Sequence, residues 1–210
     1  MSGTPPLVRR ASDAERDAVA DVLTDAFVDE DGLNWWLRQG GAKTRARRRF
    51  FKLSVGNLIN AKRDLWCAQA SEGARMLGAA IWLPPGAEAF DASGWEGFFA
   101  TPLFYLMSGP LGMARGNALG AALARHHPQV PHAHLVFLGV ATSAQGFGVG
   151  SAILKSTLAD VDTLGVPAYL EATKERNVAL YKRHGFEVTA EFDVPEGGPH
   201  FWTMVRPAQR

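Results

Sequence analysis

One stretch constrains the fold of this chain more than any other. His134 to Ala141 is an apolar run of strand length, Gln145-Gly146-Phe147-Gly148-Val149-Gly150 is a glycine-rich turn, and a run with helical periodicity follows over about 148–164. Glycines at a strand-to-helix junction let backbone N–H groups point outward without side-chain obstruction. Together with the helix N-terminus they make a seat for a phosphate or pyrophosphate. A merely tight strand–helix junction is the plainer alternative. No Lys-Ser/Thr pair follows, so this is not a nucleoside-triphosphate loop, and Ser151 stands where a dinucleotide fingerprint has its third glycine.

The segments around this turn alternate between strands and helices. Leu7-Val8-Arg9-Arg10 reads as a short strand, Ser12 and Glu15 form a capping-box pattern, and 13–28 has the apolar spacing of an amphipathic helix. Trp35 and Trp36 fall in a loop or short turn before a second helix over 43–61. Leu65–Ala70 and Met76–Leu83 read as a hairpin. One or two helices over about 94–108 and 111–125 come next, then strands over 134–141, 167–173, 186–194 and 200–205, with a helix at 176–184. The pattern predicts a mixed α/β fold with an antiparallel start and end, forming one domain over 7–207.

Composition narrows the function. Of 210 residues, 47% are hydrophobic, and 22 basic residues balance 21 acidic ones. A global field for nucleic acid is therefore excluded, although Lys43–Lys52 holds six basic residues in ten. That run reads as a solvated helix face or a phosphate-contacting patch. The single cysteine, Cys67, allows no internal disulfide and points to an intracellular, cytoplasmic protein. The N-terminal residues carry no apolar signal core. His126-His127 and His132/His134 lack the converging partners of a metal site, so no metal is expected. Residues 77–131 hold only five charges, yet glycines and prolines interrupt the stretch too often for a membrane span. It reads as a helical insert over 84–130 that covers a pocket or buries itself against a second copy in a homodimer, with simple extra core as the alternative.

Two motifs carry a family resemblance. Gln145-x-x-Gly148-x-Gly150 after Leu138-Gly139-Val140 resembles the acetyl-CoA motif of the GCN5-related N-acetyltransferase (GNAT) superfamily. Tyr169-Leu170-Glu171-Ala172, followed by Asn177 to Tyr181 and Gly185-Phe186, resembles its second motif. Within the superfamily, residues 169–198 and Trp202 look nearest to the puromycin N-acetyltransferase-like enzymes that modify small molecules. The resemblance implies a mostly antiparallel sheet splayed at the acetyl-CoA strand, with helices on both faces and acetyl-CoA as cosubstrate. A bulge in that strand is expected at Gly139. Leu138, Gly139 and Val140 would hold the thioester and pantetheine arm, with Asn177 as a further hydrogen-bonding partner. Gly146, Phe147, Gly148, Val149, Gly150 and Ser151, with Gln145, would hold the pyrophosphate.

Acetyl transfer to an amine needs a base for the ammonium proton and an acid for the departing thiolate. By analogy Tyr181, one helical turn after Asn177, is the acid. His134 and Glu171 are rival bases, and a water chain with no dedicated base is the third possibility. Trp35, Trp36 and Trp202 occupy positions suited to acceptor-pocket walls, with buried core aromatics as the alternative. Phe27, Asp29 and Asp31 lie near the same loop, where a carboxylate could hold the ammonium. The function read from the chain is acetyl transfer from acetyl-CoA to a primary amine of a small molecule. A protein or peptide acetyltransferase docking on the 43–52 helix and a non-catalytic acyl-CoA sensor are the alternatives.

Overall fold

The computed structural model describes residues 5–58, 63–87 and 95–209. In chain order the elements are β1 (Leu7–Arg10), α1 (Arg16–Ala26), α2 (Asp31–Trp36), α3 (Lys43–Leu53), β2 (Asp64–Gln69), β3 (Met76–Leu83) and α4 (Trp95–His126). Then follow β4 (Ala133–Val140), α5 (Val149–Asp162), β5 (Ala168–Ala172), α6 (Glu175–Lys182), β6 (Glu187–Asp193) and β7 (His200–Arg206). Seven strands form one sheet in the order β1-β2-β3-β4-β5-β7-β6. Every neighbouring pair is antiparallel except β4 and β5.

Side-chain alternation divides the sheet between two helical layers. Gly139 and its partner Ala79 face α1, whereas Gly78 and its partner Val140 face α5. Leu23, Phe51, Ile81, Ile153, Leu154 and Leu170 are sealed between these layers. A cluster of Phe27, Phe50, Phe51 and Phe137, with ring centroids 5.1–5.8 Å apart, packs α1 and α3 onto β4. Among the described residues, no helix is long and apolar enough to cross a membrane.

Local sequence explains most of the ends. The Ser12 N–H donates to Glu15 Oε2 at 2.8 Å, as the capping box requires. The low-charge stretch forms two helical segments either side of Gly109 (φ 72°), as its spacing predicted, with Pro110 opening the second. Two predicted elements are corrected. Trp35 and Trp36 lie in α2 rather than a loop, because the Glu30 carboxylate caps that helix by accepting from Gly32 N (2.9 Å) and Leu33 N (2.5 Å). The predicted 43–61 helix ends at Leu53 and continues as a wider π turn over Ser54–Leu58. Its last positions, 59–61, and residue 94 of the next helix lie outside the described residues.

Half of the basic run in α3 is matched within the fold. Arg48 pairs with Asp21 at 2.8 Å and Lys52 with Asp17 at 3.1 Å. Buried Arg47 donates to the Thr24 carbonyl and to Asn34 Oδ1. Asn34 in turn donates to the carbonyls of Phe27, Val28 and Glu30, which fixes the loop between α1 and α2.

Candidate active site

The site begins where two parallel strands part. β4 and β5 pair only at Ala133–Ala168, His134–Tyr169 and Leu135–Leu170. Beyond Leu135 no strand partner covers the β5-facing edge of β4, and a cleft of about 1260 Å³ opens there. The cause is a bulge, but not at Gly139 as expected. Ile81 pairs with Phe137 and Trp82 with Leu135, so Val136 is the extra residue. Gly139 is regular strand, and its lack of a side chain serves packing instead. A Cβ there would meet Ala26 Cβ and Leu23 Cδ2 of α1, each at 2.8 Å.

The glycine turn closes one end of the cleft. Gly146 (φ 82°) and Gly148 (φ 80°) hold left-handed backbone that other residues rarely adopt. Gly148 is the N-cap of α5 and offers no side-chain cap, so the first-turn N–H groups have no partner in the helix. Asp25, at the end of α1, holds the start of the turn by accepting from Thr142 N at 2.7 Å. Leu138, Gly139, Val140, Gln145, Gly146, Gly148, Val149, Gly150, Ser151 and Asn177 all line the cleft. Phe147 does not, and projects outward at 79% exposure. Arg176 and Arg183, which the sequence reading passed over, line the same end and form no ion pair among the described residues. They flank Asn177 and Tyr181 in the chain, and that was the only available signal.

These groups fit acetyl-CoA. Free N–H groups at a helix start and two unpaired guanidinium groups suit its phosphates, and an open strand edge suits the amide-bearing arm. Among the described residues, no group of three or more His, Cys, Asp and Glu side chains is arranged to hold a metal.

The two rival bases prove to be one unit. His134 Nε2 lies 2.8 Å from Glu171 Oε2, both side chains are mostly buried, and both line the cleft. Burial raises the Glu171 carboxyl pKa, but the attraction of His134 and its hydrogen bond outweigh that and hold it below the usual carboxylate range. His127 and His132 flank the pair, both lowered chiefly by burial. Their rings and that of His134 lie 4.9–5.2 Å from the buried ring of Tyr169.

Tyr181 is 7% exposed and lines the cleft from α6. Burial pushes its phenol up, so it holds its proton throughout the working range. Nothing among the described residues hydrogen-bonds its hydroxyl.

The acceptor end collects different residues from those expected. Trp36 lines the cleft, stacked on Phe104 with centroids 5.6 Å apart. Trp35, one residue earlier on α2, faces a separate surface recess under the Arg115 guanidinium. Trp202 points away as well, because alternation along β7 gives the cleft Phe201 instead. Phe27 and Asp29 are present, whereas Asp31 pairs with Lys174 at 2.5 Å. The buried carboxylate at this end is Glu30, pushed up by desolvation and bonded to Thr173 Oγ1 at 2.7 Å. The second segment of α4 forms the remaining wall, including Gly112, Met113, Gly116, Gly120 and Leu123.

A sheet opened at one strand pair, a bare glycine turn feeding a helix start, and an unpartnered phenol beside the opening define an acyl-CoA-dependent transferase. The acetyltransferase (GNAT) family model matches residues 66–186, and the chain belongs to that family. It is an acetyl-CoA-dependent acetyltransferase. A Corynebacterium glutamicum structure described as histone acetyltransferase HPA2 and related acetyltransferase is 26% identical, with a TM-score of 0.77 over 99% of this chain and 98% of that one. Mosquito arylalkylamine N-acetyltransferase like 5b is similar at 17% identity, with a TM-score of 0.59 over 96% and 99%. The ribosomal-protein-S18-alanine N-acetyltransferase of Escherichia coli matches at 13% identity, with a TM-score of 0.54 over 98% and 95%. The last two likenesses speak to the fold alone.

Proposed function

We propose that this enzyme acetylates a primary amine of a small molecule, working as one unit over 7–207. The observation that carries the reading is the His134–Glu171 pair, held at 2.8 Å in the wall of the cleft where β4 and β5 part. Acetyl-CoA supplies the activated acyl group. The His134–Glu171 pair takes the proton that the amine loses as nitrogen bonds to the acetyl carbon, and the Tyr181 hydroxyl donates its proton to sulfur as the C–S bond breaks. The N–H groups on the free edge of β4 near Leu138–Val140 face the carbonyl oxygen, where charge develops.

Support for a small acceptor comes from the walls of the cleft, which include α4 and the aromatic side chains of Phe27, Trp36 and Phe201. The puromycin N-acetyltransferase-like motifs point the same way. A peptide acceptor docking on α3 would find Arg47, Arg48 and Lys52 already engaged within the fold.

The test is thiol release from acetyl-CoA by the purified chain, with a panel of small amines and a panel of peptides. Small amines should give the higher kcat/KM, and Glu171→Gln should lower kcat by about 10²–10³, within the usual span for acid–base groups. Higher kcat/KM on peptides, or thiol release that ignores the acceptor, would sink this reading.

A further inference from the structure

The glycines of α4 differ in what holds them there. Gly109 has φ 72° and makes the kink. Gly112 has no room for a side chain, since a Cβ would come within 2.1 Å of the Trp36 carbonyl oxygen. Gly116 and Gly120 have neither reason. Their φ values lie outside the left-handed region, and a Cβ at either would meet nothing within 4 Å. A helix-interior glycine with room for alanine lowers helix stability. Both residues line the cleft, one turn apart, on the segment between Gly112 and the His127 end.

That segment is anchored on either side of the pair, and Leu119 and Ala122 pack into the core between, so it is the glycine positions themselves that stand open. Arg115 donates to the Trp35 carbonyl at 3.0 Å, and the His126 ring stacks on Phe192 at 3.9 Å. Gly112 and Arg115 hold it against α2, and the cleft lies between it and β4. Across this space lie Phe137, Leu138 and the unpartnered Tyr181 hydroxyl. Met113, Leu119 and Leu123 flank the glycines with apolar surface.

We propose that Gly116 and Gly120 set the width of the acceptor end, leaving bare helix backbone so that a bulky, ring-bearing apolar amine lies along α4 while its nitrogen reaches the His134–Glu171 pair. The inference deepens the proposed small-amine reading and rests on it. Side chains at these two positions project into the volume the acceptor ring occupies. A Cβ at either position meets no heavy atom within 4 Å, so the fold has room for a side chain to start there.

The experiment compares wild type with Gly116→Ala, Gly116→Leu and Gly120→Leu. Readouts are kcat/KM on primary amines graded from propylamine to a naphthylmethylamine, calorimetric binding of the same amines to the CoA-loaded protein, thermal melting and sedimentation. Gly116→Ala should melt about 2–4 °C higher. Each leucine variant should lose at least about tenfold more kcat/KM and affinity on the bulkiest amine than on the smallest, the scale of discrimination by apolar pockets. Equal losses on every amine, or none, would overturn the inference, as would a changed oligomeric state with unchanged size preference. A wild type that binds amines without turning them over would instead remove the proposed function. The size-dependent affinities would still decide the glycine assignment.

Discussion

On the β4 side of the cleft, glycine stands where nothing larger fits; on the α4 side, Gly116 and Gly120 stand where a Cβ would touch nothing. A Cβ on Gly78 would meet the Gly139 carbonyl oxygen and Ile153 Cδ1 at 2.9 Å, and one on Gly139 would meet α1 at 2.8 Å. The strand wall is therefore pressed between α1 and α5 and cannot shift without disturbing both layers. The α4 wall also packs into the core, through Leu119 and Ala122, but leaves space beside Gly116 and Gly120. On the proposed reading, the strand wall places the reacting groups and the open glycine positions of α4 admit the acceptor, so chemistry and specificity are carried by separate parts of the molecule.

The change with the largest expected effect tests whether chemistry sits on the rigid side. Tyr181→Phe keeps the ring against Phe186 and removes only the hydroxyl, which has no protein partner to lose. Turnover should fall by about 10²–10⁴, with acetyl-CoA affinity and melting temperature nearly unchanged. A loss under about threefold would assign the proton donor elsewhere and weaken the contrast between the walls.

Next in size is a pair of alanine substitutions with opposite signs. Gly139→Ala forces a methyl group against Leu23 and Ala26 and should destabilise the fold by about 1–3 kcal/mol in urea unfolding. Gly116→Ala should stabilise it by about 0.5–1 kcal/mol. If both changes destabilise, the α4 wall is packed as tightly as β4 and the comparison fails.

The strand wall was far more legible in the sequence than the α4 wall. Apolar runs, the turn glycines and the break at Gly109-Pro110 act through neighbouring residues, so periodicity and local backbone rules recover them. The bulge at Val136 has no local mark; it follows from how β3 and β4 register once α1 presses on Gly139. The short helix α2 depends on Glu30, which is held by Thr173, just past the end of β5 and 143 positions away in the chain. Phe201 faces the cleft in place of Trp202 because of strand alternation and pairing register, which includes a shift between Val188 and Ala190. Glu30 escaped notice because Asp29 and Asp31 beside it are equally acidic in sequence; burial alone separates them. The union of His134 with Glu171 likewise required the parallel β4–β5 pairing, which spacing along the chain does not reveal.

The smallest effect concerns the edge of the sheet, away from both walls. The Arg9 guanidinium donates to both Glu15 oxygens, at 2.6 and 2.9 Å, and with Ser12 it holds the Glu15 carboxyl down at about 2. An unfolded glutamate titrates near ~4.3. The folded state therefore binds the proton more weakly, and the pair's contribution to stability is fully present above the unfolded value. It disappears as the pH falls from about 4.5 toward 2. Both side chains are partly exposed, at 34% and 24%, so solvent screening limits this contribution to about 0.5–1 kcal/mol. Glu15→Gln should lower stability by that amount at pH 7 and by almost nothing at pH 2, as measured by chemical denaturation at the two pH values. Its kcat and KM should match wild type, because β1 and the start of α1 touch neither wall of the cleft. A kinetic change in this variant would mean that the edge strand communicates with the cleft, and that the rigid wall extends across the sheet to β1.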